Sequence, residues 1–361
     1  KACCRPVAVG GGAAASRAQP QCEARVGFVR RVLEVLRGVL SPVDERALRL
    51  ASTADVNHLR VAAGKAVLVI ARTENAAVTP DLFVSTALLV HDAPEEMIKK
   101  LQHGIIRHGL PQAYAAPLAL TVIDGDAAAQ QAARDALGTI IPHVRRRSAA
   151  FAAASANNAA SSSANSSGGA PSRSLLTHTA EYMLLYLVFL LAHHPEMPSK
   201  QEGTEDAGRA YHPFQQTISF AVSALTAGTA GEWVPASCKM MRQLKLVVDA
   251  VDPARSHGVY VLSDIALLVL HQASHQKGWD TGPFPGQVAL PRAYYTLQQR
   301  HAAGDPIEAG GSMRVGDFSH LPLGYVLKPA KQQAGAAIKQ HGDGHQQQHN
   351  RGGAAAGARA E

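Results

Sequence analysis

The 361-residue chain is poor in aromatic residues (5%), charged residues (17%) and cysteine, of which it has four. Cys3, Cys4, Cys22 and Cys238 never fall at Cys-x-x-Cys spacing, and three of them crowd into a Gly/Ala-rich leader. That pattern excludes a disulfide framework and a structural zinc site, and it points to a reducing interior. Long hydrophobic runs are missing too. The longest, Tyr182–Ala192 (YMLLYLVFLLA), has 11 residues, well short of the ~20 that a membrane-spanning helix needs. It is expected to be a buried helix, and no membrane partner is expected. The common catalytic signatures are also absent: no GxxxxGK[ST], GxSxG, HExxH or paired CxxC, and no GxGxxG after a strand. The chain therefore reads as a non-enzyme, with no catalytic residues, no cofactor and no metal site. Its start shows no signal peptide, and with Lys1 in first place it is expected to be an internal or C-terminal piece of something longer.

What is present is length enough for a sizeable core, and a net charge of +7 that is unevenly spread. Residues 1–40 carry +5, Arg145–Arg147 +3, residues 148–174 +1 and residues 328–361 +3, which leaves −5 on the rest of the chain. The basic character belongs to the edges of a mildly acidic body. A basic groove for nucleic acid on the folded surface is not expected; this distribution suggests at most weak, salt-dependent DNA contact through the basic termini.

The composition also divides the chain. Of the 27 residues 148–174, 10 are Ala, 9 Ser and 3 Asn, too little apolar bulk to offset the entropy of ordering them. They are expected to form a disordered insert. Residues 1–24 and 301–361, the latter with HGDGHQQQHN, are expected to be a disordered leader and a mostly disordered tail. Two ordered blocks remain, 25–147 and 175–300.

Both blocks carry helical periodicity. Met97, Ile98, Leu101 and Ile105 form one apolar stripe, opposed by Lys99, Lys100 and Arg107. Met240, Leu244, Val247/Val248 and Val251 form another, opposed by Arg242, Lys245 and Asp249. Thr79-Pro80 and Asp92-Ala93-Pro94-Glu95 mark helix starts, and Gly109 followed by Pro111 marks a stop. The expected order is helices 55–73, 80–91, 94–108, 111–123 and 126–141, joined by links short enough to make antiparallel hairpins. HDAPEE and IDGDAA close two such units, with Asp92 and Asp124 32 residues apart. The fold class this indicates is all-α, a HEAT-like α-solenoid of antiparallel helix hairpins. Whether the two blocks stack as one superhelix or fold as two units stays open at this level.

Seventeen histidines invite a metal reading, and His341, His345 and His349 even have i, i+4 spacing, but their context does not support it. His193-His194, just before Pro195, is expected to cap the last carbonyls of the apolar helix. His341, His345 and His349 sit among Gly and Gln in the tail. Arg145-Arg146-Arg147 is expected to be a solvated helix end, being shorter than the basic runs that mark nuclear import or phosphate contact. Lys99, Lys100 and Arg107 on one helix, and Lys239, Arg242 and Lys245 on another, are expected to be outer helix faces. They are also the candidate partner surface, because solenoids bind along extended helix faces.

Specific words then add to pattern. LRVAAGKAVLVIAR (Leu59–Arg72), TPDLFVSTALLVHDAPEEMIKKLQHGI (Thr79–Ile105), LPQAYAAPLALTVIDGD (Leu110–Asp126), EYMLLYLVFLLAHHPEM (Glu181–Met197), KMMRQLKLVVDAVDPARSHGVYVLSDIALLVL (Lys239–Leu270) and LPRAYYTL (Leu290–Leu297) occur in that order. Together they resemble the C-terminal part of the HEAT region of the sister chromatid cohesion family named for precocious dissociation of sisters. The resemblance covers most of residues 45–300. It implies a nuclear, chromatin-associated, non-enzymatic scaffold that binds the cohesin complex through its kleisin subunit, together with release or maintenance factors, and that acts in cohesion, chromosome segregation and DNA repair. The 148–174 insert and the loosely similar stretch 198–232 depart from the family pattern. The resemblance places the kleisin contacts mainly in more N-terminal repeats, and no contact residue carries over by motif. A HEAT scaffold of another assembly, such as a transport receptor or adaptor, and a weak nucleic-acid binder working through basic tails are the competing readings.

Overall fold

A computed structural model of the chain describes residues 12–41, 52–161, 179–198, 207–297, 318–322 and 325–327. All the described residues belong to one compact unit.

The first block is built from α1 (Gly12–Leu40), α2 (Thr53–Glu74), α3 (Pro80–Asp92) and α4 (Pro94–His108). Local chemistry sets their ends. Ser52 Oγ accepts the Asp55 N–H (3.2 Å) at the start of α2, and Thr79 Oγ1 accepts the Leu82 N–H (3.4 Å) at the start of α3, where Pro80 occupies the first helical position. Gly109 ends α4 in the left-handed region (φ 70°), which lets the Leu110 N–H turn back to the Gly104 carbonyl (3.0 Å). Ala93 precedes α4 without a side-chain cap, and Asp92 pairs instead with Arg60 (3.0 Å) across to α2. α1 packs on α2 and α3, and α2, α3 and α4 pack on one another. Gly64 permits the close approach of α2 and α3: a Cβ there would lie 2.1 Å from Leu89 Cδ1, which is fully buried.

Residues 112–122 depart from expectation. They form a 3-10 helix rather than an α-helix, with Pro117, which has no N–H to donate, inside the segment. Gln112–Thr121 are all buried, and α3, α4, α5 (Ala127–Ser161), α6 (Met183–Ala192) and α7 (His212–Thr226) pack against this segment. Ala115, Ala116 and Ala119 keep it thin enough for several helices to converge on it.

α5 is longer than its apolar periodicity predicts. It runs through Pro142 into the first part of the Ala-rich insert, which is helical to Ser161 instead of disordered. Alanine is the strongest helix former, so the segment needs no apolar stripe to extend the helix. For the same reason α1 reaches back to Gly12, inside the expected leader. Residues 1–11, 162–174, and the tail histidines His341, His345 and His349 lie outside the described residues.

The second block adds α6, in which every residue but Tyr186 is buried, a helical turn at Ala207–Ala210, α7, α8 (Val234–Leu244) and α9 (Ser256–Lys277). Among the described residues no helix is long and apolar enough to cross a membrane. The stripe expected to run from Met240 to Val251 is broken. α8 stops at Leu244, and Val247–Asp249 is a short strand, β1, antiparallel to β2 (Tyr295–Leu297), with Val248 opposite Thr296. Asp249 causes the change: its Oδ1 accepts the Val251 and Asp252 N–H groups (both 2.9 Å), and its own N–H donates to Ser256 Oγ (3.0 Å), closing a turn that a helix could not make.

The two blocks share one core. α6 and α7 pack on the central 3-10 helix, α9 packs on α6, α7 and α8, and the buried apolar residues of both blocks form a single cluster. Arg145 belongs to this junction. Its Nε and Nη2 donate to Glu181 Oε1 (3.0 and 2.9 Å) and Nη2 also donates to the Leu225 carbonyl (2.9 Å), so it joins α5 to the segment before α6 and to the end of α7. It is not the solvated helix end that its sequence neighbours suggested. The described part of the tail is also packed: the His320 N–H donates to Asp264 Oδ2 (2.7 Å) and the Tyr325 hydroxyl donates to Gln215 Oε1 (3.2 Å).

Candidate functional site

The two candidate partner faces fare differently. On α8 the basic side chains are engaged. Lys239 Nζ donates to the carbonyls of Phe284 (3.1 Å) and Gly286 (2.6 Å), pinning the loop before β2. Arg242 is half-buried and also has a partner. Lys245 is buried and ion-paired to Asp264 (2.7 Å), with no exposed side-chain surface on either residue. Lys245 is therefore no surface residue. Its partner lies on α9, not at Asp249 one turn ahead, because α8 has already ended.

On α4 the basic face is real and extends further than periodicity indicated. Lys99 is exposed and paired with Glu95 one turn earlier. Lys100 points instead to a notch at the C-terminal ends of α2 and α4, lined by Leu68, Val69, Arg72, His103, Gly104, His108 and Leu110. Arg107 stands beside it, exposed. The His103 and His108 rings meet edge to face, 4.6 Å apart. Partial desolvation first, and then the positive fields of Arg72, His103, Lys100 and Arg107, hold the His108 imidazole below its ordinary range. Among the described residues no carboxylate lies within ion-pair distance of Arg72, Lys100 or Arg107, whereas nearby Lys65 is taken up by Glu96 (2.6 Å). Sequence reading missed Arg72, His103 and His108. Basic residues in a last helical turn read as ordinary complements of the helix dipole, and their convergence depends on α2 and α4 ending side by side.

The histidine pair after α6 takes a role that capping did not anticipate. His193 Nε2 hydrogen-bonds Asp249 Oδ2 (2.9 Å). His194 belongs to a chain across three elements. The Glu196 N–H donates to His194 Nδ1 (3.2 Å), which assigns the His194 proton to Nε2; that N–H donates to His91 Nε2 (3.3 Å), and His91 Nδ1–H donates to Asp124. The two links in which a ring nitrogen accepts, at His194 Nδ1 and at His91 Nε2, each require a ring nitrogen that carries no proton. Among the described residues no group of three His, Cys, Asp or Glu side chains is arranged to hold a metal ion.

Burial, and secondarily His91, lowers the His194 pKa from 6.5 against the pull of Glu196 and Asp124. Burial and Lys245 lower that of His320 against Asp264. A histidine depressed in the folded state stays neutral where the unfolded chain already binds a proton, so its stabilising effect is complete above about pH 6.5 and is lost as the pH falls below that value. Urea unfolding should accordingly give a midpoint that drops between about pH 7 and about pH 5, with a shallower drop in the double variant His194→Gln/His320→Gln. An identical pH slope in wild type and double variant would show that other groups control it.

Stacked antiparallel helices around one continuous core define an all-α, HEAT-like helical fold. The sequence family that matches is that of sister chromatid cohesion protein PDS5, whose model aligns with residues 14–296. The chain belongs to this family. It is 32% identical over 114 residues to sister chromatid cohesion protein pds5 of Schizosaccharomyces pombe, covering 31% of this chain and 8% of that one. It is 24% identical over 292 residues to PDS5 homolog A of Mus musculus and of Homo sapiens, covering 77% of this chain and 20% of each relative. The chain thus aligns with a fifth or less of the length of these relatives.

Proposed function

We propose that the chain is a non-enzymatic scaffold segment that acts with the cohesin complex in sister chromatid cohesion, chromosome segregation and DNA repair on nuclear chromatin. The observation that carries this reading is the family match across residues 14–296, which spans both helical blocks. The similar proteins, all named as sister chromatid cohesion proteins, support the same process. A helical stack with one core suits a role in which the protein holds partners rather than transforms them. Its partners are the cohesin complex, with its kleisin subunit, and associated release or maintenance factors, and the basic face of α4, with Lys99, Lys100 and Arg107 extended by Arg72 and His103, is the surface this segment offers to that assembly.

The test is affinity recovery of the intact tagged protein from nuclear extract at mild salt. Cohesin subunits should be enriched over a tag-only control. Their absence, or recovery of transport cargo in their place, would sink the reading in favour of another helical-repeat assembly. Binding that disappears with modest added salt and persists with free DNA alone would favour the basic termini as a nucleic-acid contact.

A further inference from the structure

The geometry points to the notch between the ends of α2 and α4 as a binding site for a phosphorylated serine or threonine in a peptide segment, with an aliphatic residue next to the phosphate. This rests on the reading of the α4 face as a partner surface and names the chemistry of what it holds.

Three features select that ligand. The first is charge. Arg72 from α2, with Lys100, His103 and His108 from α4, rings one small opening, and Arg107 adds a further positive charge beside it. Among the described residues none of the three permanent cations has a carboxylate within ion-pair distance, Glu74 and Glu96 being paired with Arg25 and Lys65. That is more positive charge than a single carboxylate would neutralise, and it suits a phosphate monoester carrying nearly two negative charges and three acceptor oxygens. Arg72 contributes a planar fork that can bind two oxygens at once, and Lys100 contributes a mobile point charge.

The second feature is size. The notch has room for about 20 Å³, enough to seat one oxygen-sized group while the rest of the anion stays at the mouth among the basic side chains. A fused ring or a nucleotide base would not enter it.

The third feature is the wall. Leu68 and Leu110 form a buried floor, and Val69 is 47% exposed beside the cations. A ledge of this kind accepts an aliphatic side chain adjacent to the phosphorylated residue. A duplex fits poorly. Its phosphates need a basic stripe, whereas here the cations converge on one point, and Glu95 and Glu96 occupy the first turn of the same helix.

The experiment uses the full chain and fluorescence anisotropy at physiological salt. The probe is a labelled peptide with a central phosphoserine flanked by leucines, compared with its serine counterpart and with a short DNA duplex. The phosphopeptide should bind at least about tenfold more tightly than the serine peptide. Arg72→Gln and Lys100→Gln should each weaken it by about tenfold, while Arg146→Gln, on the exposed surface of α5, should leave it unchanged. Circular dichroism of the variants checks that the helices persist. Equal binding of the two peptides, no binding of either, or indifference to Arg72 and Lys100 overturns the assignment. So does duplex binding that depends on the same residues in the absence of phosphopeptide binding. Recovery of cohesin by a chain that fails the peptide assay would refute this site alone. Phosphopeptide binding by a chain that recovers no cohesin would refute the cohesin role and leave the site standing.

Discussion

Lys245→Met is expected to destabilise the protein by about 3–5 kcal/mol, the usual cost of leaving a buried charge without its partner. Lys245 Nζ and Asp264 Oδ1 lie 2.7 Å apart and neither side chain is exposed. With the ammonium gone, the Asp264 carboxylate keeps the His320 amide (2.7 Å) and little else of opposite sign in a site that water does not reach. Exposed pairs behave differently, because solvent already screens them and their loss costs about 0–1 kcal/mol. The double replacement Lys245→Met/Asp264→Leu should recover much of the loss, because it removes the uncompensated charge. It should not recover all of it, because the His320 N–H then has no acceptor. Urea unfolding of the single and double variants measures both quantities. Hydrogen exchange adds a local readout: amides of residues 318–321 should exchange faster in the double variant than in the single one, since Asp264 is what holds His320 to α9. A loss below about 1 kcal/mol in the single variant would mean that the pair is hydrated in solution.

The same pair shows where sequence reading stops. From spacing alone, Lys245 and Asp249 fall one turn apart on a continuous amphipathic helix. The helix ends at Leu244 because Asp249 gathers three hydrogen bonds into a turn, and Lys245 then finds its partner on α9. Side-chain turn chemistry competing with helix is visible in a sequence only when the acceptor's backbone geometry is known. The first block was more legible. Thr79-Pro80, Pro94 and Gly109 are local signals with local consequences, and they fall at the observed ends of α3 and α4. The spacing of Asp92 and Asp124 marked the turns after α3 and after the 3-10 helix, but not what the carboxylates do there: Asp92 reaches Arg60, and Asp124 orients His91 toward His194 from the second block. Arg72 and Lys100 were each visible as residues. Their convergence on one notch was not, because it depends on α2 and α4 running parallel with α3 returning between them.

Whether the two helical blocks are one body is decided by aromatic packing, and Phe83→Ala is expected to show it with a loss of about 3–5 kcal/mol. Phe83 is 1% exposed on α3. Its ring meets Tyr114 of the 3-10 helix edge to face at 5.1 Å, and it meets Tyr294 at 5.8 Å and Tyr186 of α6 at 6.0 Å, the last two belonging to the second block. Truncation removes the transferred apolar surface, leaves a cavity that rigid neighbouring helices cannot close, and forfeits ring contacts worth about 0.5–1.5 kcal/mol each. Because the lost contacts span both blocks, denaturation should remain one transition at a lower midpoint. Two separated transitions would mean that the blocks fold independently. The phenols report the same event. Burial pushes the Tyr186 hydroxyl up to about 12, and burial together with neighbouring tyrosines raises Tyr114 and Tyr294 as well. Opening the Phe83 site to water should bring these groups back toward the ordinary value of 10, so spectrophotometric titration of Phe83→Ala should show earlier tyrosinate formation than wild type. Phe83→Leu, which refills most of the volume, should lose markedly less stability and leave the titration nearly unchanged. Equal behaviour of the alanine and leucine variants would place the stabilisation elsewhere than in this shared cluster.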